Sequence, residues 1–284
     1  MKRIALLAAF VALIIVPQAS AGPWIKSLAD AQKKAKAADQ LIFVDLFADW
    51  CGWCHKMEQE VFPSQTFQNA TDKMVLLRLN TEDGGEGTNL ARQFNATSLP
   101  TFLILNGDRQ LAGVIHGYQP APVFVQMLVD EEKKYKDFQD QLKNESAVTD
   151  PKKRLDLAKE LRGRFAYPES EQRLSKLANQ NGLPAGVRDE AFYELALTQL
   201  MEKKLDDSMK TIKKFASLQK VGEPFERSRL LMSDIYIAQG NWGAAADNLR
   251  TFKKSYPQSK FVQNVDYVLP QIEQQMKMAG GKKN

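Results

Sequence analysis

The sequence predicts an α/β domain followed by an all-α domain of helical hairpins, and three observations carry that prediction. The run 41–47, Leu-Ile-Phe-Val-Asp-Leu-Phe, is rich in β-branched and aromatic residues and reads as a buried central strand. Directly after it the apolar period changes, so that Cys54, Met57, Val61 and Phe62 share one face of a helix. In the last half of the chain, small and large side chains recur at spacings of 38 and then 37 residues.

The chain opens with Lys2-Arg3, thirteen apolar residues at 4–16, and Ala19-Ser20-Ala21 before Gly22. That is the pattern of a cleaved secretory signal peptide, residues 1–21. The apolar run is shorter than the roughly 20 residues that span a bilayer, and an uncleaved anchor is the alternative reading. The expectation is an exported, soluble protein, most simply in a bacterial periplasm.

The first domain is expected over residues 22–143. Ala29, Ala31, Ala35 and Ala37 among lysines make an amphipathic helix before the central strand. Residues 74–79 form a second strand, Asp83-Gly-Gly-Glu-Gly87 a loop, and Leu90, Ala91 and Phe94 the apolar face of the next helix. Residues 101–105 and 111–115 pair antiparallel across the turn Asn106-Gly107-Asp108. A long helix over 120–142 follows, with Phe124, Leu128, Tyr135, Phe138 and Leu142 on its inner stripe.

Net charge is +5, two of it from Lys2 and Arg3, with both signs interspersed, which gives no case for nucleic acid. The basic pair Lys282-Lys283 reads as a fraying tail. The chain has two cysteines, Cys51 and Cys54, three positions apart. Exported chains use cysteines as staples, but so short a loop restrains the unfolded chain little. A cysteine where a strand hands over to a helix sits beside unpaired N–H groups and the positive end of the helix dipole. Its thiolate, the nucleophilic form, is favoured there.

Trp-Cys-Gly-Trp-Cys after a hydrophobic strand resembles the active site of the thioredoxin superfamily, and most of all its bacterial envelope branch. Asp45, six residues before Cys51, stands where that family keeps a buried proton-relaying aspartate. Leu99-Pro100-Thr101 resembles its cis-proline loop, and Gly117 its late glycine. The resemblance covers about 120 residues, less than half of the chain. It implies a thioredoxin-like fold and a redox-active disulfide between Cys51 and Cys54. It further implies a proton role for Asp45 and substrate pairing along the backbone of Ser98, Leu99 and Pro100. No cofactor is implied.

These residues also admit other readings. Cys51-Gly-Trp-Cys54-His55 also spells a c-type haem attachment, but that calls for a second axial ligand and a mostly helical pocket. A structural zinc site needs four ligands, and the chain offers two Cys and two His with His116 set apart in a strand. An inert buried pair is the plain alternative to redox chemistry. On residues alone, Pro100 simply starts a strand in trans. Asp45 between Val44 and Leu46 sits in a doubly buried strand, where an unpaired carboxyl is costly and its pKa should rise. Trp50 and Trp53 either fill the edge of the core or form an apolar platform for a partner polypeptide. His55 is a solvated first-turn residue or a tuner of the thiolate.

Residues 144–151 interrupt the helical pattern, and the second domain is expected over 144–284. Ala158, Ala196 and Ser233 share the repeat spacing with Ser170, Ser208 and Ala245, and with Tyr167, Leu205 and Trp242. Leu174/Leu177, Ile212/Phe215 and Leu249/Phe252 follow the same period. The last unit resembles a tetratricopeptide (TPR) repeat; the earlier two depart from it, and plain hairpins are the alternative. A closing helix is expected over 260–276, interrupted at Pro270. Such a solenoid suits a protein partner or self-association.

The functional expectation is an exported thiol-disulfide oxidoreductase acting on protein disulfides. Gly52-Trp53 adds no cation or histidine beside the thiolate, which favours a reductant or isomerase over a strong oxidant. A reductant in an oxidising compartment needs a membrane electron donor. The alternative is a TPR-type adaptor whose first domain docks partners without turnover.

Overall fold

Four strands form one mixed sheet, ordered β2-β1-β3-β4, in the computed structural model, which describes residues 23–281. The predicted signal peptide and Lys282-Lys283 lie outside the described residues. The chain divides into two compact units between Lys134 and Tyr135.

In the first unit, α1 (Leu28–Ala38) begins at Ser27, whose hydroxyl accepts from the Asp30 N–H, and leads into β1 (Ile42–Phe47). Helix α2 (Gly52–Lys56) continues as a π turn, Met57–Val61, and the path ends before Pro63, which cannot extend a helix. Ser64 then caps a short helix absent from the sequence expectation, α3 (Gln65–Ala70). After it come β2 (Val75–Asn80), α4 (Glu86–Gln93), β3 (Thr101–Leu105), β4 (Leu111–His116) and α5 (Ala121–Lys143). Ahead of α1, Ile25 makes a parallel bridge to Leu77.

Strand alternation sorts β1 between two cores. Ile42, Val44 and Leu46 face one side with Leu28, Ala31 and Ala35 of α1, Leu90 of α4, and Val75, Leu77 and Leu79 of β2. Phe43 faces the other side, within ring contact of Trp24, Phe62, Phe67, Phe102 and Phe124. Asp45 and Phe47 belong to this second face by period, so a carboxyl is carried into the aromatic layer. β1 runs parallel to β2 and antiparallel to β3, which runs antiparallel to β4. The C-terminal ends of β1, β2 and β4 therefore share one edge of the sheet with the N-terminal end of β3. Gly87 lets α4 close on this sheet, since a Cβ there would stand 1.9 Å from the Asn80 carbonyl oxygen.

The second unit is helical throughout its regular structure. Tyr135, Phe138 and Leu142, from the end of α5, pack with Leu157, Leu161 and Ala166. Three hairpins follow: α6 (Pro151–Gly163) with α7 (Tyr167–Asn179), α8 (Ala185–Met201) with α9 (Leu205–Leu218), and α10 (Glu223–Ala238) with α11 (Trp242–Ser255). The same contact crosses each pair. Ser170 donates to the Ala158 carbonyl at 2.7 Å, Ser208 to that of Ala196 at 2.7 Å, and Ser233 to that of Ala245 at 3.3 Å. The donor changes helix in the third hairpin, but the positions are those of the sequence period.

The turns repeat too. Phe165, Lys203 and Gly240 hold left-handed φ values of 64°, 64° and 72°. The next N–H in each turn bonds back five residues, Ala166 to Leu161, Lys204 to Gln199 and Asn241 to Tyr236. This is the Schellman closure of a helix C-terminus. Helix α12 (Val262–Gly281) closes the unit and runs through Pro270 without the expected interruption. Pro270 is exposed, while Val265 and Ile272 on either side are buried in one cluster with Leu249 and Phe252.

Candidate active site

Cys51 caps α2 with extended backbone, and its sulfur accepts from the Cys54 N–H at 3.1 Å. The two cysteines are joined as a disulfide. Both are buried, 3% and 1% exposed, in a small cluster with Ala48, Phe47 and Leu99. A sulfur that already receives a backbone N–H at a helix start is an environment that favours its anion once the bond is reduced.

The Leu99–Pro100 peptide is cis. Leu99 reaches the disulfide cluster, and Pro100 is buried, its carbonyl accepting from the Gly117 N–H at 2.9 Å. Ser98 is exposed, and its carbonyl accepts from the buried Thr101 hydroxyl at 2.7 Å, which also meets His116 Nδ1 at 3.1 Å. Sheet topology thus brings the residues 98–100 loop to the same edge as the cysteines.

Asp45, 1% exposed, lies opposite Arg78 in the β1–β2 register. Arg78 Nε approaches its carboxylate at 3.1 Å without hydrogen-bond geometry, and neither carboxylate oxygen accepts a hydrogen bond. Burial therefore dominates and pushes the Asp45 pKa up to about 7, with Arg78 opposing the rise and Glu58 adding to it. Arg78 also bonds Glu58, whose pKa is held below its usual value chiefly by that bond, and its guanidinium lies 4.0 Å from the Phe47 ring centroid. His55 contacts the Asp49 carbonyl through Nε2 at 2.8 Å and Glu58 through Nδ1 at 3.5 Å. Asp45, Arg78, Glu58 and His55 form one chain of contacts from the buried layer to solvent.

The tryptophans differ in what holds them. Trp50 is 70% exposed, and its indole N–H donates to Glu82 at 2.8 Å. Trp53 is 57% exposed and stacks on Tyr118, centroids 5.4 Å apart. Sequence reasoning missed Arg78, Glu58, Glu82 and Tyr118. Arg78 did leave a signal, a cation inside the apolar run Met-Val-Leu-Leu-Arg-Leu; Tyr118 and Glu82 left none. Among the described residues no group of His, Cys, Asp and Glu is placed to hold a metal ion, and no helix is long and apolar enough to cross a membrane.

A cysteine pair at a helix start, on this sheet order and beside a cis-proline loop, defines a thioredoxin-fold thiol–disulfide domain. Residues 28–132 match the thioredoxin-like domain family. The chain is 33% identical over 89 residues to thioredoxin-1 of Drosophila yakuba, covering 31% of this chain and 78% of that protein. It is 31% identical over 108 residues to the thiol:disulfide interchange protein DsbD of Actinobacillus pleuropneumoniae, covering 37% of this chain and only 18% of that protein. Against the oxidised C-terminal domain of DsbD from Neisseria meningitidis, the TM-score is 0.35 at 16% identity, over 38% of this chain and 99% of that domain. The chain belongs to the thioredoxin-like family of thiol–disulfide oxidoreductases, and its second unit is an all-α domain.

Proposed function

We propose that this protein is an exported, periplasmic oxidoreductase that reduces or isomerises disulfides in other proteins. The observation that carries the reading is the Cys51 sulfur, which accepts from the Cys54 N–H in a buried cluster that Leu99 of the cis-proline loop joins. The Cys51 thiolate attacks one sulfur of a substrate disulfide, forming a mixed disulfide and releasing the other sulfur as a thiolate. The Cys54 thiol passes its proton to Asp45 and attacks Cys51, which expels the second substrate thiolate. Two electrons move from the Cys51–Cys54 dithiol to the substrate, and the protein is left oxidised. A dithiol donor at the membrane must then restore it.

In this reading an extended substrate segment lies along the backbone of Ser98, Leu99 and Pro100, with Trp50 and Trp53 as apolar contacts. The absence of a cation or histidine at Gly52-Trp53 supports the reducing direction. The helical unit, in TPR fashion, binds a partner or a second copy. Insulin reduction by the full-length protein tests the activity, with Cys51→Ser as control. Equal rates for the two would refute it. Cys54→Ser should accumulate mixed disulfides through Cys51, whereas an adaptor would capture partners equally well with Cys51→Ser.

A further inference from the structure

The exposed tryptophans are each fixed by a different edge of the sheet. Glu82, which holds Trp50, follows β2, and Tyr118, which holds Trp53, follows β4. These are the two outer strands of the order β2-β1-β3-β4, and both end on the edge where Cys51 begins its helix. The Trp53 arm is the more elaborate. Lys56 Nζ lies 4.8 Å from the Tyr118 ring centroid and 5.6 Å from that of Trp53. The Tyr118 hydroxyl donates to Glu60 at 2.5 Å, and Lys56 meets Glu60 at 3.7 Å. Such a network fixes one ring orientation at the surface, where an unsupported indole would sample several rotamers.

From this we infer, resting on the oxidoreductase reading above, that Tyr118 is a positioning residue for substrate selection. It holds Trp53 apart from Trp50, so that the two indoles frame the approach to Cys51. The occupant of that frame is an extended segment with an aromatic or large apolar side chain beside its disulfide-bonded cysteine. Preformed aromatic faces select for ring partners. Glu82, the tether of Trp50, is a carboxylate that disfavours an acidic neighbour, while Glu60 is paired with Lys56.

The test is single-turnover exchange by pre-reduced full-length protein. The probes are peptides carrying one cysteine as a mixed disulfide with thionitrobenzoate, flanked by Phe, Gly or Glu. Cys51 attacks the peptide sulfur and releases thionitrobenzoate, and Cys54 then frees the peptide thiol, so no added reductant is needed. The Phe peptide should half-saturate at about a tenfold lower concentration than the Gly peptide, the scale of one good aromatic pair, with the Glu peptide weakest. Tyr118→Ala should erase that gap by raising the half-saturating concentration for the Phe peptide rather than by slowing its limiting rate. Tyr118→Phe, which keeps the stack, should retain most of the gap.

Equal half-saturation by all three peptides in the wild type would overturn the inference while leaving disulfide exchange standing. So would a gap that survives Tyr118→Ala. No release from any peptide would overturn the oxidoreductase reading itself. Self-association of the full-length chain that Tyr118→Ala abolishes would overturn the inference by making a second copy the occupant.

Discussion

Replacing Asp45 with Asn should change how the first unit's stability depends on pH, and the size of the change follows from the burial of that carboxyl. In the folded protein burial lifts its pKa from an ordinary 3.8 to about 7, because no hydrogen bond reaches its oxygens and Arg78 only partly offsets the loss of water. At about 1.4 kcal/mol per pH unit, ionising it inside the fold costs about 4 kcal/mol relative to the unfolded chain. Between these two pH values the native state holds a proton that the unfolded chain has released. The contribution of Asp45 to wild-type stability should therefore fall as pH rises from about 4 to about 7 and level off above that range.

Asp45→Asn has no such proton, so subtracting its curve from the wild type isolates the contribution of this one group. The Asn variant should gain about 4 kcal/mol on the wild type between pH 4 and pH 8, whatever its offset from an unpaired amide at low pH. Urea unfolding of the oxidised protein in a Trp242→Phe background, followed by the emission of the remaining Trp24, Trp50 and Trp53, measures the difference across that range. Parallel curves for the two proteins would show that Asp45 is already ionised against Arg78, and the proton role assigned to it would fall.

The remaining expectations concern the supports around the site and the repeat. Arg78→Gln removes the charge that lowers the Asp45 pKa, so the same unfolding series should place that titration above about 7. Gly87→Ala puts a methyl group 1.9 Å from a backbone oxygen that cannot rotate away, so α4 must shift, at a cost of about 1–3 kcal/mol in urea unfolding. Lys203→Gly relieves a left-handed turn at an exposed position and should stabilise the second unit by about 1 kcal/mol, read as a rise in its unfolding midpoint.

How much of this was legible in the sequence depended on whether the signal ran along the chain or across it. The cysteine pair, the strand before it and the change of period at Cys51 are contiguous, so they could be read directly. The second unit was legible for a related reason. Ser170 and Ser208 recur where a small side chain must let two helices close, and each spends its hydroxyl on the facing carbonyl. The turns of the same hairpins stayed hidden, because Phe165 and Lys203 occupy the left-handed position that a reader assigns to glycine, as Gly240 does. Pro270 misled in the opposite direction, since buried neighbours on both sides outweigh the one backbone bond it removes.

What sets the chemistry of the site lies across the strands, and there the sequence was nearly silent. Asp45 could be read as buried and costly, but whether its charge is neutralised depends on the register that puts Arg78 opposite it. A slip of one residue would have turned Arg78 to the other face of the sheet, leaving Asp45 without a cation and Glu58 without its partner. The same holds for the tryptophans. Trp50 and Trp53 differ by three positions in one short segment, yet one is fixed through β2 and the other through β4, so their separation is a property of the sheet order. The proton affinity of Asp45 and the separate anchoring of the two tryptophans are therefore set by strand pairing, while the cysteine pair itself is written within five consecutive residues.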